Sequence, residues 1–130
     1  MIWDFCFFGI MGWTIEILWT GLISFVKGDR RLMGYTYLYM FFIYGCMVFA
    51  EPLFVVLGNA NFIARGLVYM VCIFAAEYVS GYLLERYAGV CPWDYSNAKY
   101  NIDGYIRLDY ALAWFMAGLI FEKAYMIFLA

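Results

Sequence analysis

Residues 2 to 26 read IWDFCFFGIMGWTIEILWTGLISFV, and this apolar run decides the fold. Only Asp4 and Glu16 carry a charge within it. About 20 apolar residues in a helix cross a hydrocarbon core of about 30 Å, so the run is long enough to be a transmembrane helix. It lacks the basic first segment of a cleavable signal peptide, so we expect the helix to be retained.

Three more apolar runs of spanning length follow, at residues 35–57, 63–84 and 105–129. Composition agrees with them, since 68% of the residues are hydrophobic and 14% are charged. Soluble domains carry about a quarter charged residues. The sequence therefore predicts an all-α, polytopic membrane protein. We expect a four-transmembrane-helix bundle that forms one integral membrane domain over residues 1–130, in contact with membrane lipids and without a convincing internal repeat.

The chain contains no histidine. This excludes His-based nucleophilic catalysis, His-ligated haem and mixed histidine sites for zinc, so we expect neither a metal site nor a cofactor. A net charge of -2 and a pI near 4.9, with no basic stripe, argue against nucleic-acid binding. The four cysteines have no CxxC spacing, and we interpret them as packing residues except Cys91, which borders the polar loop and is expected to be exposed enough to react.

Three connections separate the runs: a charged turn at residues 27–31, a hairpin at residues 58–61 and a long polar loop at residues 85–104. Basic residues are concentrated in and beside the first and third connections. They are Lys27, Arg30, Arg31, Arg86, Lys99 and Arg107, against Arg65 and Lys123 on the other side. Because cytoplasmic loops are enriched in Lys and Arg, this bias predicts a cell-membrane protein with both termini outside and the Trp93 loop facing the cytoplasm.

Glu16 and Glu77 are expected near mid-membrane, about nine or ten residues from the cytoplasmic ends of their helices at about 1.5 Å per residue. Ionisable residues at that depth usually face a bundle interior or a wet cavity. We expect helices one and three to pack with both carboxylates aimed inward, bridged by a cation or sharing a proton. Alternatively, each protonated glutamate bonds a tyrosine hydroxyl and only stabilises the fold. Small residues that would permit close helix packing share these faces: Gly9, Gly12 and Thr20 beside Glu16, and Ser80 and Gly81 beside Glu77.

The long loop is expected to shape the cytoplasmic mouth of this site through Trp93, Asp94, Tyr95, Asn101 and Arg107. Asp94 and Arg107 either pair to hold the loop in place or bind an ion or a polar headgroup. The Pro-Trp-Asp-Tyr order also fits a rigid turn in which the Asp94 carboxylate caps backbone N–H groups. Trp93 and Tyr95 alternatively serve as interfacial anchors.

Several segments form a distinctive series along the chain. They are Gly12-Trp13-Thr14-Ile15-Glu16, Gly34 with Ile43-Tyr44-Gly45, Arg65-Gly66-Leu67-Val68-Tyr69, Glu77-Tyr78-Val79-Ser80-Gly81, Cys91-Pro92-Trp93-Asp94-Tyr95-Ser96 and Gly104-Tyr105-Ile106-Arg107. In this order, from about residue 5 to residue 125, the chain resembles the small membrane proteins described as ABC-transporter permeases of the CmpB type, especially the transmembrane protein 229 group. The resemblance implies a polytopic membrane protein of four or more helices. The chain has no P-loop, so a permease of this kind would need an oligomer or other subunits.

Three functions follow as hypotheses. The first is a small transporter-like or channel-like protein in which Glu16 and Glu77 bind a cation, a proton or a small polar substrate. The second is an intramembrane enzyme that acts on a lipid head group, with Arg107 holding phosphate; enzymatic activity is the less favoured of these readings. The third is a noncatalytic assembly partner. Glu51 and Glu122 are explained by local pairing with Arg65 or Lys123.

Overall fold

A computed structural model describes residues 1–130, and it is helical apart from one two-stranded sheet. Four segments are long and apolar enough to cross a membrane: Ile2–Val26, Leu38–Leu57, Phe62–Ala88 and Leu108–Phe128. This confirms the predicted all-α class and the four spans. In chain order the elements are α1 (Ile2–Val26), α2 (Leu38–Gly45), a 3₁₀ stretch (Cys46–Ala50), α3 (Glu51–Leu57), α4 (Phe62–Ala88), β1 (Asn101–Ile102), β2 (Ile106–Arg107), a 3₁₀ turn (Leu108–Tyr110) and α5 (Ala111–Phe128).

The chain divides into two compact units, Met1–Glu51 and Pro52–Ala130. In the first unit α1 packs against α2 through glycines. A Cβ atom at Gly9 would lie 2.7 Å from the Phe41 ring, and one at Gly12 would lie 2.0 Å from Tyr44 Cγ. The close approach that these two glycines permit is therefore used by α2. We had expected it to serve the third span.

The second span begins later than predicted and is interrupted. Residues 35–37 are not helical, and α2 starts at Leu38. The span then tightens into 3₁₀ geometry at Cys46–Ala50 before α3 begins at Glu51. Pro52 explains the interruption, because it lacks the N–H that would bond to the carbonyl four residues earlier and its ring crowds that carbonyl.

In the second unit α4 packs against α5, again at glycines. A Cβ atom at Gly66 would lie 2.3 Å from the Phe115 ring, and one at Gly118 would lie 2.3 Å from Tyr69 Cβ. Three buried aromatic side chains form the centre of this unit: Phe54, Tyr69 and Phe121. Asn61 caps α4 by accepting a hydrogen bond from the Ala64 N–H at 2.8 Å.

The fourth span was predicted to begin at residue 105, but residues 105–107 belong to a small hairpin. Asn101 pairs with Arg107 and Ile102 with Ile106 in antiparallel register. Asp103 and Gly104 turn the chain with φ values of 54° and 74°. These positive values suit glycine and are tolerated by aspartate. The helix α5 starts only at Ala111, after a 3₁₀ turn.

Candidate functional site

In the first unit the chain folds back along α1 before it enters α2, and residues 32–37 form this first fold-back segment. Polar side chains of α1 bond its backbone. Trp13 Nε1 donates to the Tyr37 carbonyl at 3.0 Å, and the Ser24 hydroxyl donates to the Met33 carbonyl at 2.7 Å. Non-helical backbone in lipid needs partners for its polar groups, and a polar stripe of α1, formed by Trp13, Thr20 and Ser24, supplies several of them.

Thr20 and Gly34 bring the first fold-back segment close to α1. The Thr20 hydroxyl accepts from the Tyr35 N–H at 2.8 Å and lies 3.0 Å from the Tyr35 carbonyl oxygen. A Cβ atom at Gly34 would lie 2.2 Å from the Ile17 carbonyl oxygen, so only glycine allows this approach.

Glu16 belongs to the same polar stripe. It is partly buried, and its Oε2 accepts a hydrogen bond from the Thr36 hydroxyl at 3.0 Å. No basic side chain forms an ion pair with it. Its one hydroxyl partner comes from the fold-back segment, 20 residues further along the chain.

In the second unit residues 89–107 fold back along α4, and we call them the second fold-back segment. Trp93 is buried, and its Nε1 donates to the Tyr105 carbonyl at 2.8 Å. A Cβ atom at Gly81 would lie 3.0 Å from Tyr105 Cδ1 and 3.2 Å from Trp93 Cζ2. The space beside Gly81 is thus filled by the loop, whereas we had expected it to serve helix packing. Trp93 is accordingly not an exposed interfacial anchor.

Glu77 lies beneath this segment. Its Oε1 accepts a hydrogen bond from the Tyr95 hydroxyl at 3.2 Å, and Glu77 is partly buried. The Tyr95 ring meets Tyr110 edge to face at 5.8 Å, and Tyr110 meets Trp114 at 6.2 Å. The Arg107 guanidinium lies 4.4 Å from the Tyr110 ring centre. Glu77, Tyr95 and Arg107 are therefore brought into one cluster.

Asp94 and Arg107 do not pair with each other. Arg107 pairs with Asp109, with Nη2 2.6 Å from Oδ2, and this bond raises the pKa of the Arg107 guanidinium. Asp94 instead caps the Ser96 N–H at 2.9 Å and accepts from the Ser96 hydroxyl. Both bonds from Ser96 lower the pKa of the exposed Asp94 carboxyl, and the hydroxyl bond has the larger effect. The alternative in which Asp94 forms a turn is thus the one observed.

Asn101 stabilises the fold-back segment internally. Its Nδ2 donates to the Ala98 carbonyl at 2.7 Å and to the Ser96 carbonyl at 3.3 Å. Its Oδ1 accepts from the Gly104 N–H at 3.0 Å. Since these bonds use both ends of the amide, Asn101 shapes the loop and has little capacity left for a ligand.

Two more tyrosine–carboxylate bonds hold the second fold-back segment on α4, and sequence reasoning missed both. The Tyr78 hydroxyl donates to Asp103 Oδ2 at 2.7 Å. The Tyr105 hydroxyl donates to Glu85, and this bond raises the pKa of Tyr105 to about 12. Glu77, Gly81 and Glu85 are four residues apart, so they form one stripe of α4, and this spacing is the signal that could have indicated the docking face.

The two units share one plan, although no internal repeat was expected from the sequence. Each has a long helix, a segment that folds back along it, and a second helix. Glu16 lies ten residues before the end of α1 at Val26, and Glu77 lies eleven before the end of α4 at Ala88. In each, a hydroxyl of the following turn donates to the helix backbone. Thr20 donates to the Glu16 carbonyl at 3.0 Å, and Ser80 donates to the Ala76 carbonyl at 2.6 Å and lies 3.2 Å from the Glu77 carbonyl.

Whether Glu16 and Glu77 meet stays a prediction, because they belong to different compact units. Within each unit, the glutamate contacts a hydroxyl of the segment that follows its own helix. No group of three or more Cys, Asp or Glu side chains is arranged to hold a metal ion.

Glu122 forms a separate buried network with Arg65 and Tyr69. Its Oε1 accepts from the Tyr69 hydroxyl at 2.7 Å, and its Oε2 lies 3.5 Å from Arg65 Nε. Arg65 also donates from Nη1 to the Gly58 carbonyl at 3.0 Å. The sequence predicted that Glu51 and Glu122 pair with Arg65 or Lys123; Glu122 does pair with Arg65, but Glu51 forms no ion pair. The tyrosine bond was not predicted.

Comparison with known proteins identifies one family. The model of the family described as "Putative ABC-transporter type IV" matches residues 3–130, which is nearly the whole chain. No solved structure matches this chain.

Proposed function

The chain belongs to the CmpB-type ABC-transporter family, and from that premise we propose that it is a small transporter-like membrane protein with a carboxylate site in each unit. Glu16 and Glu77 are the proposed binding groups for a cation, a proton or a small polar substrate. Trp93, Asp94, Tyr95, Asn101 and Arg107 belong to the segment that covers Glu77.

The observation that carries the proposal is the equivalence of the two glutamates. Each lies within a long apolar helix, and each accepts a hydrogen bond from a hydroxyl of a non-helical segment folded back along that helix. Transporters commonly place their substrate sites where non-helical backbone lies at membrane depth, because that backbone offers polar groups beside an otherwise apolar helix.

The Tyr95 hydroxyl has a defined part in this proposal. It lies directly on the Glu77 carboxylate, so an ion or substrate can reach Glu77 from that side only after Tyr95 moves away. Contacts of the Tyr95 ring with the Arg107 guanidinium and the Tyr110 ring hold Tyr95 in place. The second fold-back segment would then act as a cover whose opening controls access to Glu77.

The proposal includes an assembly. A single four-helix bundle is too narrow for an open aqueous pore, and the chain contains no P-loop. We therefore expect a homo-oligomer or association with other membrane subunits.

Flux through proteoliposomes tests the proposal. Vesicles containing the purified chain are given a pH gradient or a K⁺ gradient, and an entrapped dye reports H⁺ or K⁺ entry. We expect Glu77→Gln and Glu16→Gln each to lower the flux at least tenfold, since each removes one binding carboxylate. Asp4→Asn is the matched control, because Asp4 forms an ion pair only with the exposed amino terminus, at the start of α1. Wild-type flux no greater than that of empty vesicles, or wild-type flux in Glu77→Gln, would contradict the proposal.

A noncatalytic assembly role is the second candidate, because the loop satisfies its own polar groups. The three Asn101 bonds and the Trp93 bond are all internal to the loop. This candidate predicts that the Glu16→Gln, Glu77→Gln double variant stays folded and keeps its function in cells. The enzyme hypothesis loses support, since the guanidinium that would hold phosphate is engaged by Asp109.

A further inference from the structure

A second candidate site lies at the end of α1, away from both carboxylates. A cavity of about 250 Å³ opens on the surface of this helix. Its lining is apolar apart from one basic residue at its end. The lining residues are Trp19, Leu22, Ile23, Val26 and Lys27.

The cavity lies on a part of α1 that the first unit leaves uncovered. Leu22 is 60% exposed and Val26 is 84% exposed. The α2 contacts of α1 are made at Gly9 and Gly12, further toward its start, and the fold-back segment is bonded by a different stripe, which includes Thr20 and Ser24. The groove is thus an apolar surface of a membrane-spanning helix that ends beside a charged turn.

The charges of that turn are uneven. Arg31 is neutralised by Asp29, whose two oxygens lie 3.0 and 3.3 Å from the guanidinium nitrogens. Lys27 and Arg30 are exposed and form no ion pair. Lys27 lines one end of the apolar groove, and Arg30 follows it three residues later in the same turn. Both cations lie near the carbonyl end of α1 and interact favourably with the helix dipole. This interaction leaves their hydrogen-bond donors available.

We propose that this groove binds one anionic glycerophospholipid, with an acyl chain against Leu22 and Val26 and the phosphate between Lys27 and Arg30. The groove and the lipid are complementary in two ways. The apolar lining suits an acyl chain, and the two cations suit a phosphate. Basic residues next to a transmembrane helix attract anionic lipids in this way. The site is independent of the proposed transport carboxylates.

Lipid-specific quenching of Trp19 tests this proposal on the full chain in vesicles. Phosphatidylcholine vesicles receive a small, equal fraction of either brominated phosphatidylglycerol or brominated phosphatidylcholine. We expect the anionic lipid to quench tryptophan fluorescence more strongly, and we expect this excess to disappear in Trp19→Phe. The Lys27→Gln, Arg30→Gln variant should require about 25-fold more anionic lipid for the same excess, since each basic residue near the surface contributes about fivefold.

The control removes two exposed basic residues from the other unit, as Arg86→Gln, Lys99→Gln, and should keep the excess quenching. Equal quenching by the two lipids would overturn the proposal. So would an excess that survives in Trp19→Phe, or one that the control variant loses as completely as the Lys27→Gln, Arg30→Gln variant does. The substituted side chains are exposed, and a circular dichroism spectrum equal to wild type verifies folding for each variant.

Discussion

Glu122 is the most buried acid of the chain, at 6% exposure, and it shows what a carboxylate needs in an apolar surrounding. Its two oxygens are engaged by different partners, Tyr69 and Arg65. We expect Glu122→Ala to lower the free energy of unfolding by about 3 kcal/mol, because it leaves the charge of Arg65 without its counterion. Unfolding in mixed micelles titrated with dodecyl sulfate measures the change.

Lys123→Ala serves as the control for this residue. It is the neighbouring position on α5, but its side chain is exposed and forms no ion pair, so the expected change is within about 0.5 kcal/mol. Equal stability of Glu122→Ala and Lys123→Ala would mean that the buried network contributes nothing to the fold.

At the scale of elements, the docking of the second fold-back segment on α4 should weaken at high pH. Glu85 raises the pKa of Tyr105 to about 12 by accepting its hydroxyl. A raised pKa means that docking favours the protonated tyrosine. The contribution is therefore complete below about pH 10, the ordinary tyrosine pKa, and is lost as the pH rises through about 12.

Tyrosinate absorbance at 295 nm, taken as the difference between wild type and Tyr105→Phe, measures this ionisation. We expect the Tyr105 component to titrate near pH 12 in wild type and near the ordinary value in a Glu85→Gln background, where the carboxylate is gone. A Tyr105 component that ionises at the same pH with and without Glu85 would show that this bond does not hold the loop.

The elements also show which features a sequence can predict. Span number follows from the length of apolar runs, because a helix is the local solution for backbone in lipid. The start of the fourth span was wrong because Tyr105 and Ile106 are apolar enough to extend the run, yet they pair within a hairpin. Trp93 docking at Gly81 depends on a contact between residues twelve apart that no periodicity encodes. The spacing of the glycines predicted close packing but did not identify the element that packs against them.

For the whole molecule, the distribution of basic residues predicts the orientation. Of the two basic residues assigned to the outer side, Arg65 is engaged by the buried Glu122. Only Lys123 then remains as an exposed outer cation. Lys27, Arg30, Arg86 and Lys99 on the other two connections are all exposed. Since orientation follows the Lys and Arg count near the helix ends, both termini should lie outside.

Cysteine labelling tests this orientation in a background where the four native cysteines are replaced by serine or alanine. Lys99→Cys lies in the second fold-back segment and Asn59→Cys in the hairpin before α4, and both positions are exposed. A membrane-impermeant maleimide should label Lys99→Cys only in inside-out vesicles and Asn59→Cys only in right-side-out vesicles. The reverse pattern would place the Tyr95 cover of Glu77 on the outer side. An ion or substrate would then reach Glu77 from the outside. The labelling result therefore also decides the direction of the gradient in the flux assay.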